Sequence, residues 1–159
     1  MKDNKEVILS RKPIDFKTRF KKSLISPWVY LMLGFLTVLS FYNPYLWIFT
    51  TVLALTFIVM NYNAMQQYLM KIELDDNDLK ISYLNIKNVE KSIQIPVNEL
   101  TVDYYGNGIG FSSLASNHMR IEHNGQTKLK QYQTIGWTLV DLKETTRELK
   151  EIKRQIAAY

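Results

Sequence analysis

The chain has 159 residues, 47% of them hydrophobic and 22% charged, with no cysteine. That length allows one modest domain and an appendage, and the lack of thiols excludes disulfides, zinc-thiolate sites and thiol catalysis. The net charge of +5 is uneven, because residues 1–22 hold eight basic and three acidic side chains whereas residues 71–159 hold twelve of each. A basic arm ahead of a neutral remainder points to a membrane surface and away from nucleic acid.

Residues 1–23 form the basic cytoplasmic arm. Its first ten residues read as a mobile tail. Beyond Pro13, Phe16, Phe20 and Leu24 recur at spacing four, which stacks them on one helical face and leaves Lys17, Arg19, Lys21 and Lys22 on the rest. Such a helix can lie on a bilayer with those four basic residues against anionic head groups, although an ordinary topology-setting flank fits equally well.

From Ser23 to Met70, 48 consecutive residues contain no Asp, Glu, Lys, Arg or His. One helix of that length would reach about 70 Å, more than twice the hydrocarbon core of about 30 Å. Asn43-Pro44 divides the block. A residue before proline is pushed out of the α region, Asn is a favoured N-cap, and Pro suits a first helical position. The division predicts a transmembrane hairpin over residues 24–62, with spans at 24–42 and 45–62. Phe41, Tyr42, Tyr45 and Trp47 belong to one interfacial belt, and Trp28, Tyr30 and Tyr62 to the other. A Pro-kinked core helix and a shallow hairpin in one leaflet are the competing readings. No small-residue cleavage site follows the first apolar run, so it reads as a retained helix and not a signal peptide. Positive charge before and after the hairpin puts both termini in the cytoplasm, with the turn outside. The polar residues within the spans are Thr37, Ser40, Thr50, Thr51, Thr56 and Asn61. None is ionisable, which speaks against proton or ion transport.

After residue 66 the apolar period shifts to two. Tyr68 to Leu74, Leu79 to Tyr83, Val89 to Ile95, Leu100 to Tyr104, Met119 to His123 and a return strand at 126–134 alternate between turn signals. Those signals are Asp75-Asp76-Asn77-Asp78, Asn85-Ile86-Lys87-Asn88 and the hairpin pair Asn124-Gly125. About seven antiparallel strands are expected, followed past Gly136 by an amphipathic helix whose stripe is Trp137, Val140, Leu142, Thr145, Leu149, Ile152 and Ile156.

The stretch IELDDNDLKISYLNIKNVEKSIQIPVNELTVDYYGNGIGFSS, residues 72–113, has a strand, an acidic turn, a second strand and then IPVNEL leading into another. It resembles the bacterial pleckstrin-homology-like (PH-like) domains that follow a pair of transmembrane helices. The resemblance implies that residues 66–159 form a small antiparallel β-barrel capped by the C-terminal helix, a membrane-tethered and non-catalytic module. The fold class expected is thus a membrane α-helical hairpin plus an α+β cytoplasmic domain.

Chemistry is hard to find. His118 and His123 lie five apart, on opposite faces of a strand, and do not converge on a metal. Gly106-Asn107-Gly108-Ile109-Gly110 lacks the Lys-Ser/Thr of a phosphate loop and reads as a turn. No catalytic, cofactor or metal residue is assigned. Lys87 with Lys91, and Lys128 with Lys130 on one strand face, are the candidates for a ligand or partner surface, although the neutral module argues against strong lipid binding. The function expected is display of this module for protein contacts at the membrane. An accessory subunit docked through its hairpin is the first alternative, and a lipid-binding factor or small enzyme the second.

Overall fold

The computed structural model describes residues 5–24, 27–43, 45–106 and 117–158. It is an α+β fold with two antiparallel sheets. Strands β1 (Lys5–Ser10), β2 (Tyr68–Asp75), β3 (Asp78–Leu84) and β4 (Glu90–Pro96) form the first sheet in that order, and β5 (Leu100–Tyr105), β6 (His118–His123) and β7 (Gln126–Tyr132) form the second. Helices α1 (Phe16–Leu24), α2 (Pro27–Ser40) and α3 (Tyr45–Ala64) lie between β1 and β2, and α4 (Leu139–Ala157) closes the chain.

The turn residues act as their chemistry dictates. Asp76, Asn88 and Asn124 take positive φ values of 53°, 57° and 52°, and Gly125 follows at 73°, so three tight reversals sit where short polar side chains or glycine tolerate the left-handed region. Gly136, at φ 82°, breaks the chain between β7 and α4. Thr138 then caps α4 with a reciprocal capping box to Asp141, which satisfies donors that the first helical turn leaves orphaned.

The core is one cluster. Tyr68, Leu69, Ile72, Leu79, Ile81, Ile95, Leu100, Met119, Ile121, Leu129 and Trp137 are almost fully enclosed, with Leu142 and Leu149 of α4 packed in from the side. A bulge between Leu69 and Lys71 lets Tyr68, Leu69 and Met70 all turn inward, so strict alternation fails there. The helical stripe also needs correction. Val140 is 60% exposed, and Trp137 lies ahead of α4 in a turn closed by Thr134, where its indole N–H donates to the Leu69 carbonyl at 3.0 Å.

Two larger corrections concern the N-terminal half. Residues 5–10 are not a tail, because β1 pairs antiparallel with β2 from Lys5 opposite Asp75 to Ser10 opposite Lys71, and Ile8 and Leu9 pack on the core. The strand sequence KEVILS covers an edge that would otherwise leave a row of unpaired amides and carbonyls. Within residues 67–134, six strands are present among the described residues, and β1 supplies the seventh.

The first apolar helix is also shorter than predicted. Leu24 closes α1, and α2 starts at Pro27, which lacks an amide donor and suits a first helical position. At 14 residues, α2 is about 21 Å long, whereas the 20 residues of α3 reach about 30 Å. Among the described residues only Tyr45–Ala64 is long and apolar enough to cross a membrane. Pro44 lies outside the described residues. Its neighbour Asn43 behaves as predicted: its amide donates to the Leu39 carbonyl at the end of α2 (3.3 Å), and its side-chain oxygen accepts from the amide of Tyr45 (3.0 Å) at the start of α3.

Candidate functional site

Because the helices are inserted between adjacent antiparallel strands, the chain leaves the sheet and returns to it at one end. The Arg11 amide donates to the Met70 carbonyl there at 2.7 Å. At the opposite end the turn between β2 and β3 collects Asp75, Asp76 and Asp78, and the Val97 amide donates to the Asn77 carbonyl (2.9 Å), which brings Glu99 alongside. The eight residues of β2 span about 23 Å between the two ends.

The base of the helical insertion is built from four segments. Asp15 caps α1, accepting from the Thr18 amide at 2.8 Å, and the hydrogen bonds from the Thr18 side chain and backbone hold its carboxyl below the usual range. Lys17, Lys21 and Lys22 project into the open from α1. The Phe16 amide donates to Asn88 Oδ1 at 2.6 Å, tying α1 to the turn that carries Lys87 and leads into Lys91 on β4. All of these lysines are exposed. On the β7 side, Asn63, Gln66 and Gln67 face Thr127, Lys128, Lys130 and Tyr132 across an open cleft of about 380 Å³. Gln67 Oε1 accepts from the Lys130 amide at 3.0 Å and Lys128 Nζ donates to Gln126 Oε1 at 3.1 Å, so strand and connection are held in register.

Arg19 departs from the expectation of a membrane-facing residue. It is fully buried. Its guanidinium donates to the Met65 carbonyl at 3.0 Å and lies 5.0 Å from the Tyr68 ring and 5.9 Å from Phe16. The facing aromatic stripe is used for packing as well: Phe16 and Phe20 stack at 5.7 Å and meet Tyr62 of α3 edge-on at 5.6 and 6.2 Å. Burial lowers the pKa of Arg19, and Nε and Nη2 have no hydrogen-bond partner. This residue therefore works as a clamp between α1, α3 and β2, not as a surface charge.

Lys17, Lys21, Lys22, Lys87 and Lys91 thus lie at the end of the first sheet where the helices are inserted, and Lys128 and Lys130 line the cleft beside the end of α3. The acids on the same segments are Asp15 and Glu90. The acids of the β2–β3 turn stand about 23 Å from the first five lysines along β2, more than two Debye lengths of about 8 Å at physiological ionic strength, whereas Lys128 follows Thr127, whose hydroxyl donates to Glu122 at 3.3 Å, on a strand that begins opposite the Glu99 partner His123. Summing charge along the sequence hides this separation.

The remaining candidates stay apart. His118 lies between the rings of Tyr105 and Tyr132, at 5.2 and 4.8 Å, while His123 at the other end of β6 contacts Glu99 at 2.6 Å. Residues 107–116, and with them most of the Gly106–Gly110 loop, lie outside the described residues. Sequence reasoning missed Arg11, which reaches Asp141 at 2.7 Å and the Gly136 carbonyl at 2.6 Å and lies 4.3 Å from the Trp137 ring. It also missed the cleft, whose signal was the amide-rich run from Asn61 to Gln67 after the last apolar turn. Comparisons with models of protein families, with curated proteins and with solved structures find no match to this chain.

Proposed function

We propose that the chain is a non-enzymatic membrane module in which α2 and α3 enter the bilayer as a hairpin and the α+β unit, PH-like in kind, is displayed at the cytoplasmic face for protein contacts. The observation that carries this reading is how the helical pair treats its polar groups. Thr37, Ser40, Thr50, Thr51, Thr56 and Asn61 each turn a side-chain donor back to the carbonyl four residues earlier, at 2.7–2.8 Å. Apolar surroundings demand this, because an unsatisfied donor in hydrocarbon costs several kcal/mol.

The outward surface fits the same environment. Phe35, Leu31 and Ile48 are each about two-thirds exposed, and only 11% of the most apolar stretch of α3 is buried in the fold. Water would leave that whole surface as an uncovered patch far larger than soluble proteins tolerate. Insertion between adjacent strands adds a topological reason for a hairpin, since both ends of the helical pair start from one place and require an even number of crossings. The PH-like kinship is supported by a four-stranded sheet followed by a three-stranded one and then a C-terminal helix.

The chain has no cysteine, so single cysteines report topology cleanly. Tyr42→Cys in the turn, where the side chain is exposed, should react in intact cells with a maleimide that cannot cross the inner membrane, and Asn77→Cys only after that membrane is permeabilised. Equal reactivity of the two sites would sink the crossing hairpin. Mild detergent extraction and mass measurement then test display: a stoichiometric partner held through α2 and α3 instead of the α+β unit would favour the accessory-subunit reading.

A further inference from the structure

Resting on that membrane reading, we propose that the lysine-rich base of the hairpin is a binding surface for phosphate-bearing anionic lipid head groups, with the cleft between the end of α3 and β7 as the seat for one of them. Asn63 and Gln66 lie at the end of α3, where the helix leaves the apolar layer. If α3 spans the hydrocarbon from Tyr45, these residues stand at head-group depth, and Lys128 and Lys130 across the cleft stand at the same depth.

The lining suits a phosphodiester. It has two ammonium groups, the amides of Asn63, Gln66 and Gln67 and the Tyr132 hydroxyl, and no carboxylate among its lining residues; Glu122, which accepts from the lining Thr127 hydroxyl at 3.3 Å, is itself paired with Arg120 at 2.9 Å. Such a group needs several donors and no competing anion. Its size of about 380 Å³ falls in the range of small-ligand sites. On the side of α1 and the β3–β4 turn, Lys17, Lys21, Lys22 and Lys87 extend the positive surface, with Asp15, Glu90 and Glu122 as the opposing charges. Asp15 is engaged with Thr18, which draws it toward the helix start.

The test uses the full chain in nanodiscs of phosphatidylcholine containing 30% phosphatidylglycerol, with bound lipid counted by native mass spectrometry. The protein should retain phosphatidylglycerol in preference to phosphatidylcholine. Each lysine near an anionic surface contributes about fivefold, so Lys128→Gln with Lys130→Gln should cut that preference at least fivefold. A charge-matched control, Lys80→Gln with Arg154→Gln, should leave it unchanged. Inorganic phosphate at 10 mM should not displace the lipid, and displacement would identify a site for free phosphate instead. No preference in the parent protein, or an undiminished one in the double variant, overturns the proposal. Extraction of the parent protein from membranes by alkaline carbonate would overturn the membrane reading itself, so the two failures are distinguishable.

Discussion

Replacing Arg19 separates what its charge does from what its bulk does. Its guanidinium is fully buried, makes one hydrogen bond to the Met65 carbonyl at 3.0 Å and lies over Tyr68. A hydrogen bond from a charged donor contributes about 1.5–3 kcal/mol, and a desolvated cation–π contact about 2 kcal/mol. Against these stand two guanidinium nitrogens without partners and the desolvation of an ion that Asp15 favours only through space, without a direct ion pair among the described residues, a penalty of several kcal/mol. The charge itself should therefore contribute close to nothing net, while the volume it fills contributes as any buried side chain does. Arg19→Ala opens a cavity under α1 and should cost about 3 kcal/mol. Arg19→Met keeps the bulk, loses the uncompensated charge and leaves the Met65 carbonyl unpaired, so it should stay within about 1 kcal/mol of the parent. For a chain of this size that corresponds to melting shifts of about 10 °C and 3 °C, read by intrinsic fluorescence of the detergent-solubilised protein. If Arg19→Met melts as low as Arg19→Ala, the charge matters more than the packing, and the clamp as described is wrong.

Asp141 joins a capping box to an ion pair with Arg11 at 2.7 Å. Burial alone would raise its pKa, but the hydrogen bonds from Thr138 and Arg11 outweigh that and hold it below the usual range. A carboxyl lowered in the folded state stabilises the protein above its unfolded pKa of about 4, and that stability is lost as pH falls through the lower folded value. Asp141→Asn should therefore cost about 1 kcal/mol near pH 7 and flatten the acid limb of a melting-temperature profile; a limb of unchanged slope would show that other groups set it. Deleting residues 2–10 removes β1, bares the edge of β2 and uncovers core contacts of Ile8 and Leu9. Loss of monodispersity in size-exclusion chromatography and a melting point lower by 5 °C or more are expected, whereas a deletion that melts within 2 °C of the parent would restore the tail reading.

The legible parts of this fold were those with local causes. Asp76, Asn88 and Asn124-Gly125 turn the chain because their backbones tolerate positive φ, and six strands and the last helix follow from the periods between them. Asn43 was legible as both stop and cap because its neighbours in sequence are also its partners. What escaped was non-local. KEVILS is too short and too charged to read as a strand alone, and it becomes one only because β2, about 60 residues later, offers an edge. Arg19 looks like its neighbouring lysines until Met65 and Tyr68 fold over it. The net neutrality of residues 71–159 was correct as a sum and misleading as a surface, because antiparallel strands sort charges by which end of the sheet each turn occupies.

The insertion also bears on how the α+β unit can be studied. One end of the helical pair is tied to the sheet through the Arg11 amide on Met70 and the Arg11 guanidinium on Asp141 and Gly136, the other through Met65 under Arg19 and through Gln67 on Lys130. Phe16 on Asn88 adds a link between α1 and the β3–β4 turn. Ties on both sides of the insertion restrict its tilt relative to the sheets, so the lysine end must face whatever the helices enter and the acidic turn of Asp75 to Asp78 must face away. A fragment beginning at residue 66 keeps the second sheet and α4 but lacks β1, Arg11 and Arg19, and its β2 edge is open to pair with another chain. Binding measured on such a fragment would report on that edge, and only the full chain holds α1 and its lysines against the β3–β4 turn.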